Sequence, residues 1–182
     1  SMGGLVVRAM IADQPRGAAM WQRIKALPNS KLLMLGTPNL GSFEAVRWLT
    51  ANNPTQKKLA LLDFTQNTTD ITNLVRRFPG LLELLPYDDE ALRFGHAELW
   101  KTLKAQLDAP WLTATEASLR EARATWRLLK DSEPDPAHMI YVAGCQDVTV
   151  SDYWVRPRGD GQTHKLEFSG VRQGDGTVTW RS

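Results

Sequence analysis

Ser1-Met2-Gly3-Gly4-Leu5-Val6-Val7-Arg8 is the stretch of sequence that decides the fold. Two glycines follow the serine, and Leu5, Val6, Ala9 and Met10 come next at helical spacing. This apolar stripe is broken at Asp13 and Gln14, ahead of Pro15, a residue that helix interiors exclude. The pattern predicts a helix over residues 5–14 that starts directly behind a glycine-rich turn.

Two short apolar runs further along the chain predict buried strands. The first is Leu32–Leu35, within Lys31-Leu32-Leu33-Met34-Leu35-Gly36-Thr37-Pro38-Asn39-Leu40-Gly41-Ser42, and the second is Met139–Val142. A strand of a parallel sheet is buried on both faces, so its sequence is continuously apolar rather than alternating. We expect the two runs to be neighbouring parallel strands of one sheet.

The long segment between these strands carries helical patterns. Apolar residues recur at helical spacing in 43–50, 70–78 and 97–107, and Thr113 with Glu116 has the spacing of a capping box ahead of a further helix. Leu59–Leu62 is the one strand candidate in this region. We interpret 43–133 as a mostly helical cap, in which aromatic residues at helical spacing favour a buried core; these are Trp48, Trp100, Trp111 and Trp126.

The last part of the chain predicts a β-hairpin and a loop with one carboxylate. Asp152–Arg156 and Lys165–Phe168 flank Arg158-Gly159-Asp160-Gly161, which has Asp-Gly turn chemistry. Gln173-Gly174-Asp175-Gly176-Thr177-Val178 then places Asp175 between two glycines. The chain thus divides into a first core segment (1–42), the cap (43–133), and a second core segment with the hairpin and the Asp175 loop (134–182).

Three motifs, in this order, resemble one branch of a known family. S-M-G-G-L-V is similar to the second half of a nucleophile elbow, G-x-S-x-G, and it is followed by L-G-T-P-N-x-G-S and G-D-G-T-V. Together they resemble the lipase and acyltransferase branch of the α/β-hydrolases that includes lecithin–cholesterol acyltransferase. The resemblance implies an α/β fold: the C-terminal half of an α/β-hydrolase, with few parallel core strands, a helical cap insertion and a C-terminal β-hairpin.

The resemblance also implies roles for particular residues. Ser1 would be the nucleophile, the backbone N–H of Met2 half of the oxyanion hole, and Asp175 the acid of the triad. Asp147 is the alternative acid, because many α/β-hydrolases carry this carboxylate after the strand that Met139–Val142 matches. The implied activity is that of a serine ester hydrolase or acyltransferase that acts on an ester or lipid through an acyl-enzyme, with no metal or organic cofactor.

The base of the triad is missing from its expected place. The family's triad runs in the order Ser, Asp, His, and no histidine follows Asp175. The three histidines of the chain, His96, His138 and His164, all precede it, and we expect them to be structural or solvated. On this interpretation the chain starts at the elbow, ends before the triad histidine and is inactive alone. Its partner would be the missing N-terminal half, in cis or as another chain.

Three other interpretations stay open. Ser1-Met2 is a remnant of an expression tag in the first. In the second, Ser1 is an N-terminal nucleophile that uses its own amine as base. In the third, the chain is a non-catalytic, hydrolase-like binding or scaffold module, which an absent downstream histidine would favour.

Composition excludes several classes of protein. The formal net charge of +2 on 182 residues, with scattered basic side chains, argues against a nucleic-acid partner. No stretch approaches the roughly 20 apolar residues of a membrane span, and Cys145 has no second cysteine to pair with. Contact of the cap with a membrane surface is a further expectation, placed at the helix breaks Arg93-Phe94 and Pro110-Trp111-Leu112.

Overall fold

The computed structural model describes residues 2–62, 67–87, 93–132, 134–159 and 163–182. These residues form a mixed α/β structure with two small sheets. The helices are α1 (Gly3–Ala12), α2 (Arg16–Lys25), α3 (Phe43–Leu49), α4 (Pro54–Leu62), α5 (Thr68–Val75), α6 (Pro79–Glu83), α7 (Ala97–Gln106) and α8 (Glu116–Asp131). The strands are β1 (Leu32–Leu35), β2 (Met139–Val142), β3 (Thr149–Pro157) and β4 (His164–Val171).

The two apolar runs are parallel neighbours, as predicted. β1 pairs with β2 so that Leu32 lies opposite Met139 and Leu35 opposite Val142. The hydrogen bond from Gly36 N–H to Val142 O, 2.9 Å, extends this pairing one residue past the end of β1. About a hundred residues of mainly helical chain separate the two strands, as a crossover between parallel strands requires.

One face of this sheet is better covered than the other. Met34, in the middle of β1, is buried. The opposite face carries four aliphatic side chains that the register sets in two rows, Leu33 beside Ile140 and Leu35 beside Val142. Their exposed fractions are 54%, 45%, 60% and 45%. We call these four residues the open sheet face.

The main hydrophobic core lies between the cap helices and the hairpin. Val46, Leu85, Trp100 and Leu119 of the 43–131 region are almost fully buried in one cluster, and Leu166 of β4 belongs to the same cluster. β3 and β4 pair antiparallel in a sheet of their own, with a bulge between Val150 and Asp152. The predicted pairing of the two strands is therefore confirmed, with its apolar face packed against the cap. Asp160 and Gly161 of the predicted turn lie outside the described residues.

Two local predictions in the cap are wrong. Leu59–Leu62 lies within α4, because that apolar run is the end of a helix that begins at Pro54. The N-cap of α8 is Thr115 rather than Thr113: its Oγ1 accepts a hydrogen bond from the N–H of Ser118, 3.2 Å. Thr113 instead bonds the guanidinium of Arg76 through its hydroxyl.

Two of the four cap tryptophans are core residues, as expected: Trp100 and Trp126 are 1% and 7% exposed. Trp48 and Trp111 are only partly buried. The helix breaks proposed for membrane contact are also closed, since Phe94 and Leu112 are 1% and 3% exposed. Within the part of the chain that the structure covers, no helix has the length and apolar character needed to cross a bilayer.

Candidate active site

The two parallel strands end on glycines that leave room for Asp175. A Cβ built on Gly36 would lie 2.6 Å from Asp175 Oδ2, and one built on Gly144 would lie 2.8 Å from Asp175 Cβ. Gly36 also has φ +52°, a backbone conformation that favours glycine. The carboxylate therefore sits against the carboxyl ends of both strands, where α/β proteins generally place their ligands.

One oxygen of this carboxylate is held by the backbone. Asp175 Oδ1 accepts hydrogen bonds from the N–H groups of Thr177, 2.9 Å, and Val178, 2.7 Å. The other oxygen, Oδ2, points toward Gly36. Burial and, second to it, the negative charge of Asp175 raise the pKa of the Tyr141 phenol in β2. The side chain of Asp175 is thus fixed in orientation, with its charge directed at the end of the sheet.

The loop that carries Asp175 is tied down at several points. Gln146 N–H donates to Gly174 O, 2.7 Å, and Gly176 N–H donates to the hydroxyl of the fully buried Thr149, 2.8 Å. The indole N–H of Trp180 donates to Gly144 O, 2.7 Å. These bonds fasten both sides of the loop to the segment that links β2 to β3.

The start of α1 lies at the same end of the sheet. Gly4 packs on Thr37, the residue that follows Gly36, so closely that a Cβ on Gly4 would lie 2.7 Å from Thr37 Cγ2. Met2 precedes the helix, is half exposed, and its carbonyl accepts from the N–H groups of Leu5 and Val6. Ser1 is outside the described residues. Gly4 lies against Thr37 and Asp175 lies against the preceding Gly36, so both meet the chain where β1 ends.

Arg8, which the sequence analysis did not single out, ties this region to the cap. Its guanidinium donates to Asn39 Oδ1, 2.9 Å, to Leu129 O, 2.6 Å, and to Ser132 Oγ, 3.1 Å. The last two acceptors belong to the C-terminal end of α8, where cations are favoured. Burial lowers the pKa of Arg8. The sequence feature that could have identified Arg8 is its position one helical turn after Gly4, which places both residues on the same face of α1.

Asp147, the alternative acid, is differently placed. It is exposed in the segment after β2, and its side chain makes no hydrogen bond or ion pair with the rest of the described chain. Asp175, by contrast, is half-buried and held through Oδ1. Of the two carboxylates, Asp175 is the one whose orientation is fixed.

The histidines lie elsewhere. His96 is the N-cap residue of α7, and His164 is the first residue of β4. His138 lies at the amino end of the parallel sheet, where its Nδ1 is 3.2 Å from Asp135 Oδ1. None of the three forms a hydrogen bond or ion pair with Asp175.

Asp135 organises that opposite end of the sheet. Its carboxylate is 3.0 Å from Lys25 Nζ at the end of α2. The hydrogen bond from Lys25, together with that from His138, lowers the pKa of Asp135 to about 2. Since the folded pKa lies below the ordinary 3.8, the pair stabilises the fold above that value and loses its effect as the pH falls toward 2.

The polar residues that follow β1 have structural partners. Thr37 is buried against Gly4, and Asn39 accepts from Arg8. Ser42 caps α3 through its hydroxyl, which accepts from Glu44 N–H at 3.2 Å, and the same hydroxyl is 2.5 Å from Thr177 O. Ser42 is therefore a helix-capping residue.

A cavity lies beside this site. It has a volume of about 410 Å³ and is lined by Ser42 and Phe43 at the start of α3, by Val150 and Asp152 of β3, and by the end of the chain. Neither Asp175 nor Gly36 lines it. Among the described residues no cluster of histidine, cysteine and carboxylate side chains has the arrangement of a metal site.

Comparisons with protein-family models, with curated proteins and with solved structures find no match for this chain.

The close approach of Gly4 to Thr37 gives a test of this geometry. Gly4→Ala should lower the free energy of unfolding by about 1–3 kcal/mol, the usual cost of overpacking a filled site. Gly3→Ala is the matched control, because nothing lies within 4 Å of a Cβ at that position, and alanine is the better helix former. Urea unfolding of both variants measures the difference; a Gly4→Ala variant as stable as Gly3→Ala would contradict the contact.

Proposed function

We propose that the chain is the C-terminal part of a lipase-like serine ester hydrolase or acyltransferase that works through an acyl-enzyme. The observation that carries the proposal is the position of Asp175, at the carboxyl ends of both parallel strands and at the end of the sheet where α1 begins. One imidazole must contact both the hydroxyl and the carboxylate of a triad, so the two must share an edge of the sheet.

In this proposal each residue of the site has its own role in the reaction. The imidazole takes the proton of the Ser1 hydroxyl as Oγ bonds to the ester carbonyl carbon, and the N–H of Met2 stabilises the oxyanion. The leaving alcohol then takes that proton, and water or a second alcohol removes the acyl group in the reverse sense. Asp175 accepts the imidazole Nδ1–H through Oδ2, since Oδ1 is already occupied by two backbone donors. No metal or organic cofactor takes part.

The base and half of the sheet would come from outside this sequence. The open sheet face supports this part of the proposal, because parallel strands are ordinarily covered on both faces. Leu33, Leu35, Ile140 and Val142 instead expose 45–60% of their surface. The missing N-terminal half, in cis or as another chain, would cover this face.

An ester or lipid is the proposed substrate class. We propose that any contact of the cap with a membrane surface occurs at α4. The helix breaks are excluded as the contact site because Phe94 and Leu112 are buried there. Leu61 and Leu62 at the end of α4 are 77% and 76% exposed and are the better candidates for such contact.

The experiment compares two lengths of protein. The chain as written should not hydrolyse p-nitrophenyl butyrate above buffer, because it lacks the base. The chain extended through its flanking reading frame should hydrolyse it, and Ser1→Ala should abolish that activity. If the short chain is active and Ser1→Ala abolishes its activity, one of its own histidines must be the base, and the proposal is overturned in that part.

A non-catalytic binding or scaffold module is the second candidate. The observation that favours it is that no histidine of the described chain contacts Asp175. In that case the extended chain would be inert toward esters, and Asp175 would serve only to shape its loop.

A further inference from the structure

Helix α4 turns a polar side toward the protein and an apolar side toward the solvent. Its buried residue is Gln56, whose amide Nε2 donates to Trp48 O, 2.8 Å, and to Thr72 Oγ1, 3.1 Å. Leu61 and Leu62 in its last turn are instead about three-quarters exposed. A surface helix of a globular protein normally has the reverse arrangement, with its apolar side buried. The two leucines therefore contribute little to the packing of the described chain.

Two lysines lie on the same side of α4 as these leucines. Lys57 precedes Leu61 by four residues, and Lys58 likewise precedes Leu62; residues at this spacing are neighbours on a helix surface. Both lysines are exposed, and neither ammonium group forms a hydrogen bond or an ion pair with the rest of the described chain. No aspartate or glutamate occurs in α4. We call Lys57, Lys58, Leu61 and Leu62 the outer face of α4.

The combination of exposed leucines and unpaired lysines indicates which partner fits this face. Lysine is depleted from the interfaces between proteins, which argues against a protein partner. A bilayer surface suits both residue types, because leucines enter the boundary between headgroups and acyl chains. The long aliphatic stem of a lysine lies along the same boundary and leaves its ammonium at the level of the lipid phosphates. Anionic lipids attract each such lysine further.

We propose that the outer face of α4 binds the surface of an anionic phospholipid bilayer. Leu61 and Leu62 insert among the acyl chains, and the ammonium groups of Lys57 and Lys58 contact the lipid phosphates. This inference rests on the cap contact proposed above, and it adds the charge of the lipid and the residues that recognise that charge. Binding of this kind requires no triad, so it can be measured separately from ester hydrolysis.

Co-sedimentation of the chain with sucrose-loaded vesicles tests the proposal. One set of vesicles consists of phosphatidylcholine alone, and the other contains about one-third phosphatidylserine, which makes its surface anionic. We expect the chain to bind the anionic vesicles about twentyfold more tightly, because each of the two lysines contributes about fivefold near an anionic surface. Lys57→Gln combined with Lys58→Gln should remove this preference, and high salt should weaken it by screening the charges.

A pair of leucine variants shows whether α4 is the surface that binds. Leu61→Ser combined with Leu62→Ser should weaken binding to the anionic vesicles about a hundredfold, because two aliphatic side chains lose their burial in the bilayer. Leu33→Ser combined with Leu35→Ser is the matched control, since it removes two exposed leucines from the open sheet face. The control should bind the vesicles as the unaltered chain does. Circular dichroism checks that both variants stay folded.

The proposal is overturned if neither kind of vesicle binds, if both bind equally, or if the open-face variant loses binding and the α4 leucine variant does not. It is also overturned if the chain forms a dimer in size-exclusion chromatography that Leu61→Ser with Leu62→Ser separates, because a second copy then covers this face.

The extended chain distinguishes this inference from the proposed catalytic function. Its Ser1→Ala variant should bind anionic vesicles as the unaltered extended chain does. An extended chain that binds vesicles but does not hydrolyse esters contradicts the proposed catalytic function alone. One that hydrolyses esters but does not bind vesicles contradicts the inference from α4 alone.

Discussion

Asp175→Asn should lower kcat for ester hydrolysis about 10⁴-fold in the extended chain, the loss that follows when a triad carboxylate is replaced by an amide. The free energy of unfolding should barely change, because asparagine keeps a carbonyl oxygen where Oδ1 accepts from Thr177 and Val178. The amide cannot orient and stabilise the imidazolium as a carboxylate does. Initial rates with p-nitrophenyl butyrate and urea unfolding separate the two effects.

Two companion variants decide what the result means. Asp175→Ala should lose the same activity and also about 1–2 kcal/mol of stability, because two backbone N–H groups lose their acceptor. Asp147→Asn should keep activity, since that side chain is exposed and unbonded in the described structure. If Asp147→Asn abolishes activity and Asp175→Asn does not, Asp147 is the acid and Asp175 is a turn residue.

Trp100→Ala should lower the free energy of unfolding by about 3–5 kcal/mol, the range for removing a large aromatic side chain from a core. Trp100 is 1% exposed, and its indole N–H donates to Phe94 O, 2.9 Å. Its ring lies 6.1 Å from that of Phe94, which is itself buried. The substitution thus leaves a cavity and an unpaired carbonyl in the cluster that joins the cap to the hairpin.

Trp180→Ala is the matched control. This tryptophan is 50% exposed, and it also donates one indole hydrogen bond, to Gly144 O. Its loss should cost about 1 kcal/mol, the net contribution of one hydrogen bond. Equal costs for the two variants, measured by urea unfolding, would show that the cap lacks the packed core described above.

The sequence predicted the elements whose patterns are local. The continuous apolar runs of Leu32–Leu35 and Met139–Val142 predicted parallel strands, and their pairing is confirmed. The expected burial on both faces is wrong for these residues, because Leu33, Leu35, Ile140 and Val142 are exposed. The Asp-Gly turn signal located the hairpin between two short strands. The ends of the elements were predicted less accurately. The N-cap of α8 is Thr115 and not the predicted Thr113. Both threonines can cap a helix, so the residue types alone do not distinguish them.

The packing partners of these elements could not be predicted. An alternating strand such as β4 shows which of its faces is buried, but not that Leu166 packs with the cap.

Arg8 has a consequence for how the protein can move. Its guanidinium holds the loop after β1 and the last turn of α8 at once. A hinge motion of the cap away from α1 would break the hydrogen bonds that the half-buried guanidinium donates to α8. Because a buried charge without hydrogen-bond acceptors is unfavourable, this motion would cost free energy. We expect α1 and α8 to move as one rigid body, so that a displacement of α8 carries the start of α1 with it.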